Sequence, residues 1–255
     1  ETKSRLVDEI DRRLRVDRPE VRIIHLQAGD PAGTEPNALL SQLLKMVLDL
    51  PDVVPDDLGR SLLMHRLGAQ GEVVATGVAA ALGWLSPEQL ALANMHAAPG
   101  VLRSSASAAL AEGLRVMAMR DPVVIFLDRA HWADSAVLEA FERATVDDVS
   151  LAVVVAAKPT FTTQHPSWAH RAQSHCEVML APLAREAWSA LCRELLLPVP
   201  TVPQAIVDRL IDRAIGPPAL LVDLIAGLKK DGLVQKPPQG GQWYIASETI
   251  DRLPD

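Results

Sequence analysis

The sequence predicts an α/β protein built on a parallel sheet, followed in the chain by a smaller helical unit. Three observations predict it. Short apolar runs alternate with helical stretches up to about residue 182, the pattern of strand-helix-strand units. The run Val123 to Leu127 is apolar at every position, as suits a strand buried on both faces of a parallel sheet. From Arg185 onward strand signals stop and helical patterns take over.

The elements follow in order. Leu6, Ile10 and Leu14 recur at helical spacing among charged residues, and Pro19 closes this first helix. Val21 to Leu26 reads as a strand, and Gly29 to Pro36 as a loop rich in Gly, Pro and Asp. Leu39, Leu40, Leu43, Leu44, Val47 and Leu48 then mark one face of a helix over residues 37–50. Residues 51–99 are Leu- and Ala-rich and broken by prolines, with no strand signal, which predicts a helical insertion. Val101 to Met119 is a long helix, turned by Asp121-Pro122 into the strand Val123 to Leu127. Ser135 to Thr145 is helical, Leu151 to Ala157 a second apolar strand, and Cys176 to Leu180 a shorter one. Arg185 to Leu197, Pro203 to Ile215 and Pro218 to Lys230 are three further helices. Last, two short apolar runs flank Pro237-Pro238-Gln239-Gly240-Gly241 between Leu233 and Ile245, a hairpin signal after a helix, as in the wing of a winged helix.

Composition narrows the function. Hydrophobic residues make up 49% and charged residues 22% of the 255, which is the balance of a folded globular chain. Lys and Arg number 25 against 32 Asp and Glu, and the resulting charge of −7 argues against a broad surface for nucleic acid or anionic lipid. No apolar run reaches the roughly 18 residues that a membrane helix needs. Two cysteines, Cys176 and Cys192, make neither a disulfide framework nor a four-ligand zinc site, so a reducing cytoplasm is expected and both read as buried small hydrophobes.

Two places carry chemistry. Asp128 ends the buried strand at its carboxyl edge, where ligands of open α/β sheets sit and where an acid can hold Mg²⁺ beside phosphates; alone, such an Asp equally caps a turn. Lys3-Ser4 opens the first helix, as the end of a phosphate-cradling loop does, although the same pair equally makes solvated terminal residues with a serine cap. His131 and Trp132 read as packing residues, Asp134 as the cap of the helix at Ser135, and Asp147-Asp148 as a turn. His165, His170 and His175 read as scattered surface histidines.

Asp128-Arg129-Ala130-His131-Trp132-Ala133-Asp134 resembles the acid-ended strand and HWAD signature of bacterial STAND-type signalling ATPases, AAA-like P-loop domains. Lys3-Ser4-Arg5-Leu6, Ala156-Ala157-Lys158-Pro159 with Phe161, Leu180-Ala181-Pro182-Leu183 and Gly216-Pro217-Pro218 are similar to further motifs of that family, in its order. The resemblance implies a three-layer P-loop NTPase core over residues 1–182, a helical lid over 183–232 and the start of a winged helix over 233–255. It implies ATP or ADP with Mg²⁺ as cofactors: Lys3 on the phosphates, Ser4 and Asp128 on Mg²⁺, Lys158 near the γ-phosphate, and Pro218 behind the adenine. In the family a strand precedes the phosphate loop inside the sheet, so upstream residues are expected before Glu1.

The chain departs from the pattern at three positions. Thr2 stands in place of the last loop glycine, and Lys158 lacks the planar fork of the usual arginine. Arg129 replaces a second acid, and a cation cannot act as the general base on water. The function expected is a nucleotide-dependent switch with weak or absent hydrolysis, joined to other domains of its polypeptide and to protein partners. The alternatives are a pseudo-ATPase scaffold that binds no nucleotide and the ATPase module of a transcriptional regulator; DNA contact through these residues is disfavoured because no recognition helix is rich in Arg and Lys.

Overall fold

A computed structural model describes residues 2–30, 32–35, 37–146, 148–214, 218–232, 234–236 and 242–246. The chain divides into two compact units, Val7–Glu177 and the remainder, the latter comprising the residues up to Leu6 and those from Val178 on.

The larger unit is α/β. Strands β1 (Arg22–Gln27), β2 (Val123–Asp128) and β3 (Leu151–Val155) form a parallel sheet in the order β1-β2-β3. In its register Ile24 lies beside Ile125 and Ile125 beside Val153. The period of two along a strand sends Val123, Ile125 and Leu127 to one face, where they join the main core with Ile24 and Leu26. Phe126 points the other way, fully buried, with the His25 ring stacked on it at 5.1 Å. Helix α1 (Thr2–Asp17) runs past that face, its Asp11 carboxylate 3.5 Å from His25.

Helices α2 (Ala38–Leu48), α3 (Arg60–Leu67), α4 (Ala69–Ala81), α5 (Pro87–His96), α6 (Pro99–Arg120) and α7 (Ser135–Ala144) supply the rest of the unit. The expected stripe of α2 is buried at Leu39, Leu40, Leu43, Leu44 and Leu48. It meets Leu110 and Leu114 of α6 and Val137, Leu138 and Phe141 of α7 in one core. Glycine permits close helix contacts: a Cβ on Gly77 of α4 would lie 2.4 Å from the Leu102 carbonyl oxygen of α6. Helix α5 differs from all of these. A complete capping box of Ser86 and Gln89, with Pro87 in the first turn, starts it, yet it buries no residue. The expected helical insertion is therefore three helices, two packed and one standing in solvent.

Two expectations fail between β3 and the smaller unit. Cys176 to Leu180 forms no strand, because a strand is stable only as a paired ladder and no strand among the described residues pairs with this one. With no sheet to bury it, Cys176 is exposed, against its reading as a buried hydrophobe, whereas Cys192 is buried as expected. A short helix, α8 (Thr160–Gln164), follows β3 and seats Phe161 in the core.

The smaller unit is mainly helical: α9 (Arg185–Leu195), α10 (Gln204–Arg213) and α11 (Pro218–Lys230) close around Cys192, Val207, Leu210, Leu221 and Ile225. Burial pushes the Cys192 thiol up to about 11. Arg185 joins α9 to α10 through Asp208 at 2.9 Å and Asp212 at 3.2 Å. The expected hairpin pairs antiparallel as β4 (Val234–Gln235) and β5 (Tyr244–Ile245), Val234 opposite Ile245. Its Pro237-to-Gly241 turn, Asp147 and Gly216-Pro217 lie outside the described residues. Among the described residues no helix is long and apolar enough to cross a membrane.

Candidate functional site at the carboxyl edge of the sheet

The three strands end together, and their ends are tied. The N–H of Ala28, just past β1, donates to the Asp128 carbonyl at 3.0 Å. Beyond β3, Ala156 donates to the Leu127 carbonyl at 2.8 Å, and Ala130 donates back to the Ala156 carbonyl at 3.0 Å. The loop after β2 is thus held from both sides, which fixes where its side chains project.

Asp128 is half-buried at the end of β2, as expected. One of its carboxylate oxygens accepts the Arg129 backbone N–H at 2.8 Å, so that oxygen is already engaged. Arg129 itself adopts a left-handed backbone, φ 55°, which costs about 1–2 kcal/mol for a residue with a Cβ. The turn then enters a single 3-10 turn, Ala130–Trp132, and Asp134 caps α7 by accepting the Ala136 N–H at 2.8 Å. Arg103 of α6 holds the other oxygen of Asp134 at 2.5 Å. The cap expected from sequence is therefore also a tie between α6 and α7.

Trp132 is where the charges meet. The Arg129 guanidinium carbon lies 5.7 Å from the centre of its ring, and the Lys158 ammonium 5.6 Å from the same centre. Both are cation-π distances. Both cations are exposed, and among the described residues neither forms an ion pair. His131 packs beside Trp132 at 4.8 Å. Asp128 and Arg129 thus share one edge with Lys158, distant from them in sequence, because β2 and β3 are neighbours.

The other sequence-derived residues fall in the smaller unit. Lys3 and Ser4 occupy the first turn of α1, Lys3 half-buried; the side chains of Ser4 and Thr2 lie outside the described set. Pro218 opens α11 and is half-buried there, a position that suits proline because the first helical N–H needs no partner within the helix.

Chemically, the β2–β3 edge offers two cations for one carboxylate. That donor set fits a phosphate-bearing anion, which guanidinium and ammonium groups bind by charge-assisted hydrogen bonds. It does not fit a divalent metal. A hard dication wants several oxygen ligands, and the Asp128 carboxylate, the one described at this edge, already shares an oxygen with an amide. Among the described residues no three acid, His or Cys side chains are grouped to hold a metal.

A cavity of about 350 Å³ opens at the other end of the strands, lined in part by Arg22, Met46, Arg66, Gly113, Met117 and Arg120. The carboxyl ends of α2, α3 and α6 surround it, and their negative dipole ends offset these arginines, so it is a poorer anion site than the Trp132 edge.

No family model, curated protein or solved structure matches the chain. Sequence reasoning singled out Asp128, Lys158 and the Arg129 substitution, but gave Trp132 a packing role only. The signal for more was the spacing of a cation three residues before a tryptophan on a sharp turn, which becomes informative once β3 brings Lys158 alongside.

Proposed function

We propose that this chain is a nucleotide-dependent regulatory switch of a larger signalling protein, binding ATP or ADP with weak or absent hydrolysis. In this reading the α/β unit is a P-loop NTPase-like core, the helical unit its lid, and the β4–β5 hairpin the start of a winged helix. The observation that carries it is the convergence of Arg129 and Lys158 on Trp132 beside Asp128, at the carboxyl edge of a parallel sheet. Ligands of such sheets collect at that edge, and two cations that form no ion pair among the described residues favour phosphates there.

Lys3 and Ser4, by the family resemblance, would bring a phosphate-binding helix start to the nucleotide, and Pro218 would back its base. Arg129 in place of the family's second acid cannot itself act as the base that activates water, which suits a switch better than a motor. A switch needs only different affinities for two arrangements, and each tenfold preference, about 1.4 kcal/mol, shifts their ratio tenfold. The protein would work in a reducing cytoplasm, where both cysteines stay thiols.

The test is an equilibrium titration with a fluorescent ATP analogue, competed by ATP and by ADP. Saturable binding that weakens about tenfold or more in Lys158→Ala and in Lys3→Ala is expected, by the loss of charge-assisted contacts. Absence of binding at millimolar nucleotide would overturn the reading. It would favour the scaffold alternative, for which one observation speaks: among the described residues α5 leaves Leu90, Leu92 and Met95 exposed.

A further inference from the structure

We propose that the Trp132 edge binds polyphosphate without a divalent metal, with Arg129 and Lys158 supplying the positive charge that Mg²⁺ would otherwise bring. The inference rests on the nucleotide reading and adds how the anion is neutralised.

Four observations carry it. The two cations approach one indole at 5.7 and 5.6 Å, and among the described residues neither has an acid to neutralise it. Two cations on one indole outnumber the single Asp128 carboxylate beside them, and an anion bound there gains favourable charge-charge attraction. The Asp128 carboxylate has one oxygen occupied by the Arg129 N–H, which leaves it poorly placed as an anchor for a hydrated dication. A guanidinium one residue along repels a dication and matches phosphate oxygens with its planar fork. Finally, Arg129 holds a strained left-handed backbone where Gly, Asn or Asp would be cheaper. Such strain at a ligand-facing turn has a use if the side chain it aims is needed.

Trp132 supplies the readout. Cations drawn from its ring toward a phosphate change its emission, and Trp132→Phe separates that signal from the other four tryptophans of the five. The chain is titrated with ATP and, separately, with inorganic tripolyphosphate, each in EDTA and in excess Mg²⁺. Binding in EDTA within about twofold of that in Mg²⁺ is expected for the native chain, since the charge is already in place. Arg129→Asp suits the left-handed turn and restores a second acid. It is expected to weaken metal-free binding about tenfold or more and to make binding depend on Mg²⁺. Lys158→Gln is expected to weaken metal-free binding without creating that dependence.

Tightening of the native chain by about tenfold or more on adding Mg²⁺ would overturn the inference while leaving the nucleotide reading intact. Unchanged metal-free affinity in Arg129→Asp would do the same. Metal-free tripolyphosphate binding with ATP no tighter would support the charge inference and remove the nucleotide from it. Failure of both anions under both conditions would overturn both.

Discussion

Glu9 carries the clearest single-residue electrostatic effect in the chain. On α1 it accepts hydrogen bonds from Arg12 at 2.8 Å and Arg13 at 2.7 Å, and these hold its carboxyl well below the ordinary glutamate range, at about 2. A carboxylate whose folded value is depressed adds stability that is present above the ordinary range and lost as pH falls through the folded value. The pairing therefore supports α1 from neutral pH down to ordinary carboxylate pKa values, and its contribution fades from there toward pH 2. Carboxyl carbon shifts followed by NMR are expected to give a Glu9 midpoint near 2, rising into the ordinary range in the Arg12→Ala, Arg13→Ala double variant. A midpoint unmoved by that change would mean the pairs do not persist in solution. Asp134 works by a different route: one carboxylate caps α7 and grips Arg103 of α6, so two elements depend on one side chain.

Glycines in the helices differ in what surrounds the missing side chain. Gly77 of α4 faces the Leu102 carbonyl of α6 so closely that a methyl group cannot enter without moving backbone, whereas Gly227 of α11 has nothing within 4 Å of its missing Cβ. Gly77→Ala should destabilise the protein by about 1–3 kcal/mol through overpacking, and Gly227→Ala should stabilise it by about 0.5–1 kcal/mol by restricting the unfolded chain. Urea titration of both variants checks this, and a stabilised Gly77→Ala would mean that α4 and α6 are further apart than described.

Local chemistry made most elements legible in the sequence. The helical stripe of α2, the apolar run of β2 with its terminal Asp128, the Asp134 cap and the Pro218 start each reside within a few neighbouring residues, and each was readable there. What was not legible depends on distant pairing. Cys176 to Leu180 has strand composition but no ladder to join, and composition does not tell one case from the other. The site divides in the same way. Asp128 and Lys158 stand out as candidates through their motifs, whereas the left-handed Arg129 and the approach of two cations to Trp132 follow from the turn and from β3 lying beside β2.

At the scale of the whole molecule, the two units have separate cores that share no residue, one between Ile24 and Phe161 and the other between Cys192 and Leu228. The chain between them, residues 173–184, is exposed throughout and contains no regular secondary structure. Brief proteolysis should therefore cut first within residues 173–184, because a protease needs an extended and accessible backbone. Mass spectrometry of the first products checks this, and initial cleavage inside the 51–99 helices would contradict it.

Helix α5 has one more consequence. Its ten residues are held by a capping box and a well-placed proline, with no buried side chain, and isolated helices shorter than about 12–15 residues are marginal in water. Its order is thus financed locally, and its amide protons should trade with deuterium long before those of α6, the helix that follows it. Any occupant of Leu90, Leu92 and Met95 would slow that trade, so the exchange rate of this single helix is a gauge of whether the protein is alone or in company.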